Sequence, residues 1–375
     1  MSRMPDPERD EDDLDTAPPP QPVFYVEQAL LGALLLEPWR LDDVTGVGPD
    51  AFSTAAHAAV LAAIRSLPTP APAEHAESTK WLNAVLTSAR ERARGLTASY
   101  LHTLIQACPW PRHTPAYARI VEAEHARRQL RAAAERLAQT ARDLSLPRPV
   151  PTAFAAADAL AGILDDVAAR FRPHPGSLPR APAMATAATP GDAEEAADEE
   201  RLLLATATAH PTDVEQMPWL TSDDFTLPLH AGLWQCLTAL TRRRAPVDPV
   251  TVLWEAQHRG LLTDGVDPRK LLPLLGTPAG SPEHWGERIL QRSVLATAHQ
   301  VASRIEAFTD DPATTPYQLV VGSRRALADL SAMRTRWQHA TSAASATRPA
   351  CTRTTASPRA SPPPTTTPPT VRISR

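Results

Sequence analysis

The sequence predicts an all-α fold: two tandem helical domains, each a small helical globule followed by a long helical hairpin, with disordered ends. Three observations carry this. Hydrophobic residues make up 43% of the 375-residue chain but aromatics only 5%, so the apolar mass is alanine, leucine and valine, a mix that favours helix over sheet. The chain has 40 prolines against 14 glycines, spaced so unevenly that four long windows are free of proline: 116 to 146, 152 to 172, 283 to 311 and 317 to 348. A short motif also recurs without a gap, Asp50-Ala-Phe-Ser-Thr-Ala-Ala-His57-Ala against Asp223-Asp-Phe-Thr-Leu-Pro-Leu-His230-Ala.

Taken in order, residues 1–22 carry Asp6, Glu8, Asp10, Glu11, Asp12, Asp13 and Asp15 against only Arg3 and Arg9. They are proline-rich, hold few large apolar side chains and are expected to be disordered. The first domain spans 23–171. Its longest apolar run, Ala29 to Leu36, is too short to cross a bilayer, and the acidic start of the chain does not resemble a signal peptide, so no membrane association is expected. Residues 172–196 are rich in proline and alanine and form an expected linker; the second domain follows at 197–338. The tail, 339–375, carries Arg348, Arg353, Arg359, Arg372 and Arg375 and is again an expected disordered segment, with at most weak phosphate contact. Cys108, Cys236 and Cys351 are too scattered for a disulfide framework or a CxxC metal site, which fits a reducing, cytoplasmic compartment.

Proline inside a helix removes a hydrogen bond and clashes with the preceding turn, so the four windows are where long helices fit. They fall in two pairs, divided by Pro147 to Pro151 and by Pro312 to Pro316, and each pair reads as a helical hairpin, 116–171 and 283–338. Apolar residues recur at three- and four-residue steps: Ala123, Leu130, Ala134, Leu137, Ala141 and Leu144 in one arm, Phe154, Ala157, Leu160, Leu164, Val167 and Phe171 in the next. The later pair repeats the pattern with Leu290, Val294, Ala298, Val301, Ile305 and Phe308, then Tyr317, Val320, Leu327, Leu330 and Trp337. Leu130, Leu137, Leu160, Leu164, Val167, Val294, Val301, Ile305, Leu327 and Leu330 are the expected pairing seam.

Upstream of each hairpin, Glu27-Gln-Ala-Leu-Leu matches Glu199-Glu-Arg-Leu-Leu, one residue out of register. Phe52, His57, Phe225 and His230 recur between the halves. Each His adjoins an apolar stripe and has no Asp or Cys at ligand or triad spacing, so the expected role is structural: a hydrogen bond to the loop bearing Asp50 or Asp223, or a helix cap. Adjacent carboxylates such as Asp42-Asp43, Asp165-Asp166 and Asp310-Asp311 point in different directions on a helix and form no facing acid–base pair. No catalytic, cofactor or metal site is expected. Basic charge concentrates only in the first hairpin arm, where Arg127, Arg128 and Arg131 are candidates for contact with nucleic acid or a partner.

The run Glu27-Gln-Ala-Leu-Leu-Gly-Ala-Leu-Leu-Leu-Glu-Pro, then Asp50-x-Phe52 and His57, then Tyr117-Ala-Arg-Ile-Val121, resembles the N-terminal domain of DnaB-type replicative DNA helicases. The second half is similar through Asp224-Phe225, His230, Ala245-Pro-Val-Asp-Pro-Val-Thr-Val252 and Gly260-Leu-Leu. The first half lacks the Pro-Val-Asp stretch, and the second has His210-Pro211 where the family's first helix would end. The resemblance implies a noncatalytic collar: a helical globule plus a hairpin through which subunits pair and primase is engaged, with the motor on a separate ATPase domain. A phosphate-binding loop needs GxxxxGK[ST], yet the only lysines, Lys80 and Lys270, precede Trp81 and Leu271 with no glycine loop before either. The expectation is a replication protein without ATPase activity that acts as scaffold, loader or regulator of helicase or primase, its two hairpins pairing within one chain or between copies. The alternatives are a diverged helicase subunit working with a separate ATPase, and a DNA-binding regulator using the arginine arm.

Overall fold

In a computed structural model of the chain, residues 21–172, 192–263 and 266–347 are described. Among them the regular structure is helical throughout, with no strand. Most of the helices begin at a proline, which lacks the N–H that a helix start leaves unsatisfied. The expected disorder of 1–20, of most of the linker and of the tail beyond 347 lies outside the described residues.

The first globule contains α1 (Pro22–Leu36), α2 (Ala55–Ser66), α3 (Pro72–Glu77), α4 (Lys80–Arg92) and α5 (Ala98–Gln106). Thr54 caps α2 by accepting from the His57 amide, and Thr97 caps α5 by accepting from the Tyr100 amide. α1 lies so close to α5 that a Cβ at Gly32 would overlap the Leu104 carbonyl. The first hairpin is α6 (Thr114–Arg142) and α7 (Pro149–Arg170).

The second globule contains α8 (Asp192–Ala209), α9 (Pro211–Val214), α10 (Pro228–Arg242), α11 (Pro249–His258) and α12 (Pro268–Gly276), and the second hairpin is α13 (Pro282–Asp310) with α14 (Pro316–Thr347). The Pro-Val-Asp-Pro stretch is a helix start: Asp248 accepts from the Val250 and Thr251 amides while the Thr251 hydroxyl takes the Asp248 amide, closing a capping box.

Four boundaries differ from expectation. The hairpin turns lie earlier in the chain than expected, at 143–148 and 311–315, because Pro149, Pro151 and Pro316 sit in the first helical turn, where proline is tolerated. Each turn opens on an aspartate whose carboxylate takes an amide two residues on, Asp143 from Ser145 and Asp311 from Ala313. Leu144, assigned to the apolar stripe, falls in the first turn and is 69% exposed. α8 begins at 192, inside the expected linker, and buries Ala196; α14 runs past 338 to Thr347, burying Ala340, because no proline interrupts it before Pro349.

The apolar interior divides in an unexpected place. One core belongs to the first globule and ends on α6 at Val121. A second, larger core starts on the same helix at Ala126 and runs continuously through both hairpins into the second globule. The first hairpin therefore buries its seam against the second half of the chain.

Candidate functional site: the paired hairpins

α6 packs along α13, and α7 along α14, so the two hairpins form a four-helix bundle within one chain. Leu130, Leu137, Leu160, Leu164, Val167, Val294, Val301, Ile305 and Leu330 are all buried in the shared core; Leu327 is half-buried and borders an open groove between α7 and α14.

Superposing the buried pattern of α6 on that of α13 sets Ala126 on Val294, Leu130 on Ala298, Ala134 on Ala302 and Leu137 on Ile305. In that register Arg131 is equivalent to His299 and Arg142 to Asp310. The structure joins the same four positions crosswise: Arg131 pairs with Asp310 at 2.8 Å, and Arg142 donates to His299 Nε2 at 2.9 Å. Two contacts that exchange under the superposition mark a pseudo-twofold axis between antiparallel arms. Burial and the neighbouring Arg142 hold His299 below the usual imidazole range, which suits a neutral ring accepting that bond.

The three arginines proposed for nucleic acid or a partner are engaged inside the chain. Arg127 donates to the carbonyls of Thr309 at 3.1 Å, Asp311 at 2.8 Å and Thr314 at 2.6 Å, satisfying carbonyls at the end of α13 and in its turn. Arg128 donates to the Ala51 carbonyl at 2.6 Å. Arg131 is about half exposed and bridges Glu135 and Asp310. A cationic stripe read from sequence is here largely a set of fasteners: peptide carbonyls and carboxylates of the same chain occupy the guanidinium groups.

Phe52, His57 and His230 are buried and Phe225 is partly buried, but the partner of each histidine is not the Asp-bearing loop. His57 Nδ1 meets Glu27 Oε2 at 2.7 Å, and His230 Nδ1 meets Glu200 Oε2 at 2.8 Å, each across 30 residues. The same carboxylates take the loop amides of Ser53 and Thr226, each across 26 residues. Glu200 and not Glu199 is thus the equivalent of Glu27, and the repeat is in register. Glu199 faces the other way and binds Arg288 and Arg292 of α13. The identical spacing was present in the sequence and would have identified the pair. Glu27 is held below the usual carboxylate range: burial pushes it up, but hydrogen bonds from His57 and Ser53 outweigh this.

Each Asp-x-Phe loop is also fastened to its own hairpin by an arginine, Arg128 from the first arm in one half and Arg336 from the second arm in the other. Arg336 donates to the Trp219 carbonyl at 2.9 Å and binds buried Asp224, which also accepts from the Ser293 hydroxyl. Among the described residues no group of histidine, cysteine or carboxylate side chains is arranged to hold a metal ion. No described helix is long and apolar enough to cross a membrane.

The model of the DnaB-like helicase N terminal domain matches residues 19–123 and again 192–283, together just over half of the chain. The chain belongs to this family. Membership ties it to helicase-related replication, and the match occurs twice, in step with the repeated Glu–His brace. Both matched segments stop near the start of a first hairpin arm, so the DnaB-like helicase N terminal domain match rests on the globules and leaves most of the paired hairpins outside it. No curated protein and no solved structure matches the chain.

Proposed function

We propose that this protein is a noncatalytic, single-chain counterpart of a helicase collar unit, a scaffold that docks on a replicative helicase or primase and acts as loader or regulator. The supporting observation is the seam between the hairpins. Two domains of one helicase-related family sit on one chain and bury their hairpins against each other about a pseudo-twofold axis, so the pairing surface is occupied from within. Tethering makes such pairing intramolecular, at an effective concentration of about millimolar. The surfaces left for a partner are then the globules and the outer faces of the hairpins.

The arrangement lends less support to DNA binding through the first arm, because Arg127 and Arg128 are committed to backbone carbonyls. Affinity purification of the full chain from its native host, with mass spectrometry of bound proteins, tests the proposal. Enrichment of the replicative helicase or the primase is the expected result, and recovery of neither contradicts it. DNA-stimulated ATP hydrolysis by the purified chain contradicts the noncatalytic part.

A further inference from the structure

The charges that cross between α7 and α14 differ between the two repeats, and their placement decides which hairpins can pair. Superposing the buried residues of α7 on those of α14 sets Ala157 on Ser323, Leu160 on Ala326 and Leu164 on Leu330. Asp158, one residue beyond Ala157, is then equivalent to Arg324, so one surface position carries opposite charge in the two halves. Each is used across the seam. Asp158 pairs with Arg334 at 2.7 Å, and Arg324 pairs with Asp165 at 2.6 Å. Arg334 also lies over the Phe154 ring at 4.8 Å.

We infer that the hairpin surface is charge-coded to pair a first-repeat hairpin with a second-repeat hairpin and to reject a hairpin of its own kind from another chain. The inference rests on the internal pair within the proposed scaffold and names the partner its seam accepts. If two first hairpins met about the same axis, Asp158 would take the place of Arg324 and face Asp165, and Arg142 would take the place of Asp310 and face Arg131. Two second hairpins would set Arg324 in the place of Asp158, against Arg334. Each like pairing thus sets like charges together twice, by symmetry, whereas the observed pairing joins Arg131 with Asp310, Asp158 with Arg334 and Asp165 with Arg324. Exposed ion pairs stabilise a fold little, but partner choice depends on the difference between matched and mismatched pairings, where repulsion counts as much as attraction. The flanking charges of coiled coils choose partners in the same way.

The full chain tests this without separating its halves. R324D gives position 324 the charge of its repeat-one equivalent and reproduces, inside the chain, the contact that two first hairpins would make; D158R reproduces the contact of two second hairpins. Each should melt about 2–4 °C below its neutral counterpart, R324Q or D158N. Restoring opposite charge with R324D/D165R should recover the loss to within about 1 °C, and D158R/R334D should melt above D158R although it also gives up the contacts of Arg334 with the Phe154 ring and carbonyl. Failure of this pattern at either pair overturns the inference. The measurement involves no helicase or primase, so a failure to dock on either leaves its outcome intact.

Discussion

Glu27 and Glu200 each gather a histidine and a loop amide into the interior of a globule, and they show how a buried charge can define a fold. The side chains of Glu27 and His57 are fully buried, so removing His57 leaves the Glu27 carboxylate desolvated with only its Ser53 hydrogen bonds. His57→Leu is expected to lower stability by about 3–5 kcal/mol in chemical denaturation. The lowered Glu27 carboxyl also has a pH signature. A group whose folded pKa lies below its unfolded value contributes stability that is complete above the unfolded pKa and lost as pH falls through the folded one. The melting temperature should therefore decline as pH drops below about 4.5, the ordinary value for glutamate, and Glu27→Gln should flatten that decline. Glu306 on α13 is opposite in sign. Burial and the nearby Glu135 and Asp310 push its carboxyl up, so its charge is unfavourable at neutral pH, and Glu306→Gln should raise the melting temperature by about 1–2 °C. Much of this scale was hidden in the sequence. The histidines were visible as repeated residues, but their carboxylate partner was displaced by one because Glu199 and Glu200 are adjacent and chemically alike.

At the scale of elements, hydrophobic period and proline spacing were sufficient to place all four hairpin arms, since a long amphipathic helix needs an unbroken window and little else. The ends were harder, because a proline in the first helical turn looks the same in sequence as a proline in a loop. Pro149 and Pro316, which read as turn residues, both start helices. Close packing between elements was also illegible. Nothing near Gly32 announces that the Leu104 carbonyl sits where a Cβ would be, so Gly32→Ala should cost about 1–3 kcal/mol in urea unfolding. At Gly162, on α7 and facing open space, the same change should stabilise by about 0.5–1 kcal/mol, because alanine restricts the unfolded chain and favours helix. Arg127 is the element-scale counterpart of the Glu–His brace. From one hairpin it satisfies three carbonyls at the end of α13 and its turn in the other, so Arg127→Ala is expected to loosen the seam by about 2 kcal/mol, seen as faster amide exchange at the end of α13.

For the whole molecule, the duplication was legible because a gapless motif and two matching hairpins repeat along the chain. How the halves meet was not, because contacts such as Arg142 with His299 join positions far apart in sequence on exposed helix faces that look like ordinary solvated charge. The structure turns two family domains into one body: a second-half core extends through both hairpins and reaches back to Ala126, leaving the first globule with a core of its own. That continuity makes the internal pair the feature on which the shape of the whole molecule depends, and one measurement addresses it directly. Light scattering and small-angle X-ray scattering on the same sample of full chain should give a single-chain mass together with a scattering profile in which the two halves hold a fixed separation. A single-chain mass with halves that move independently, or a stable two-chain mass, would contradict it.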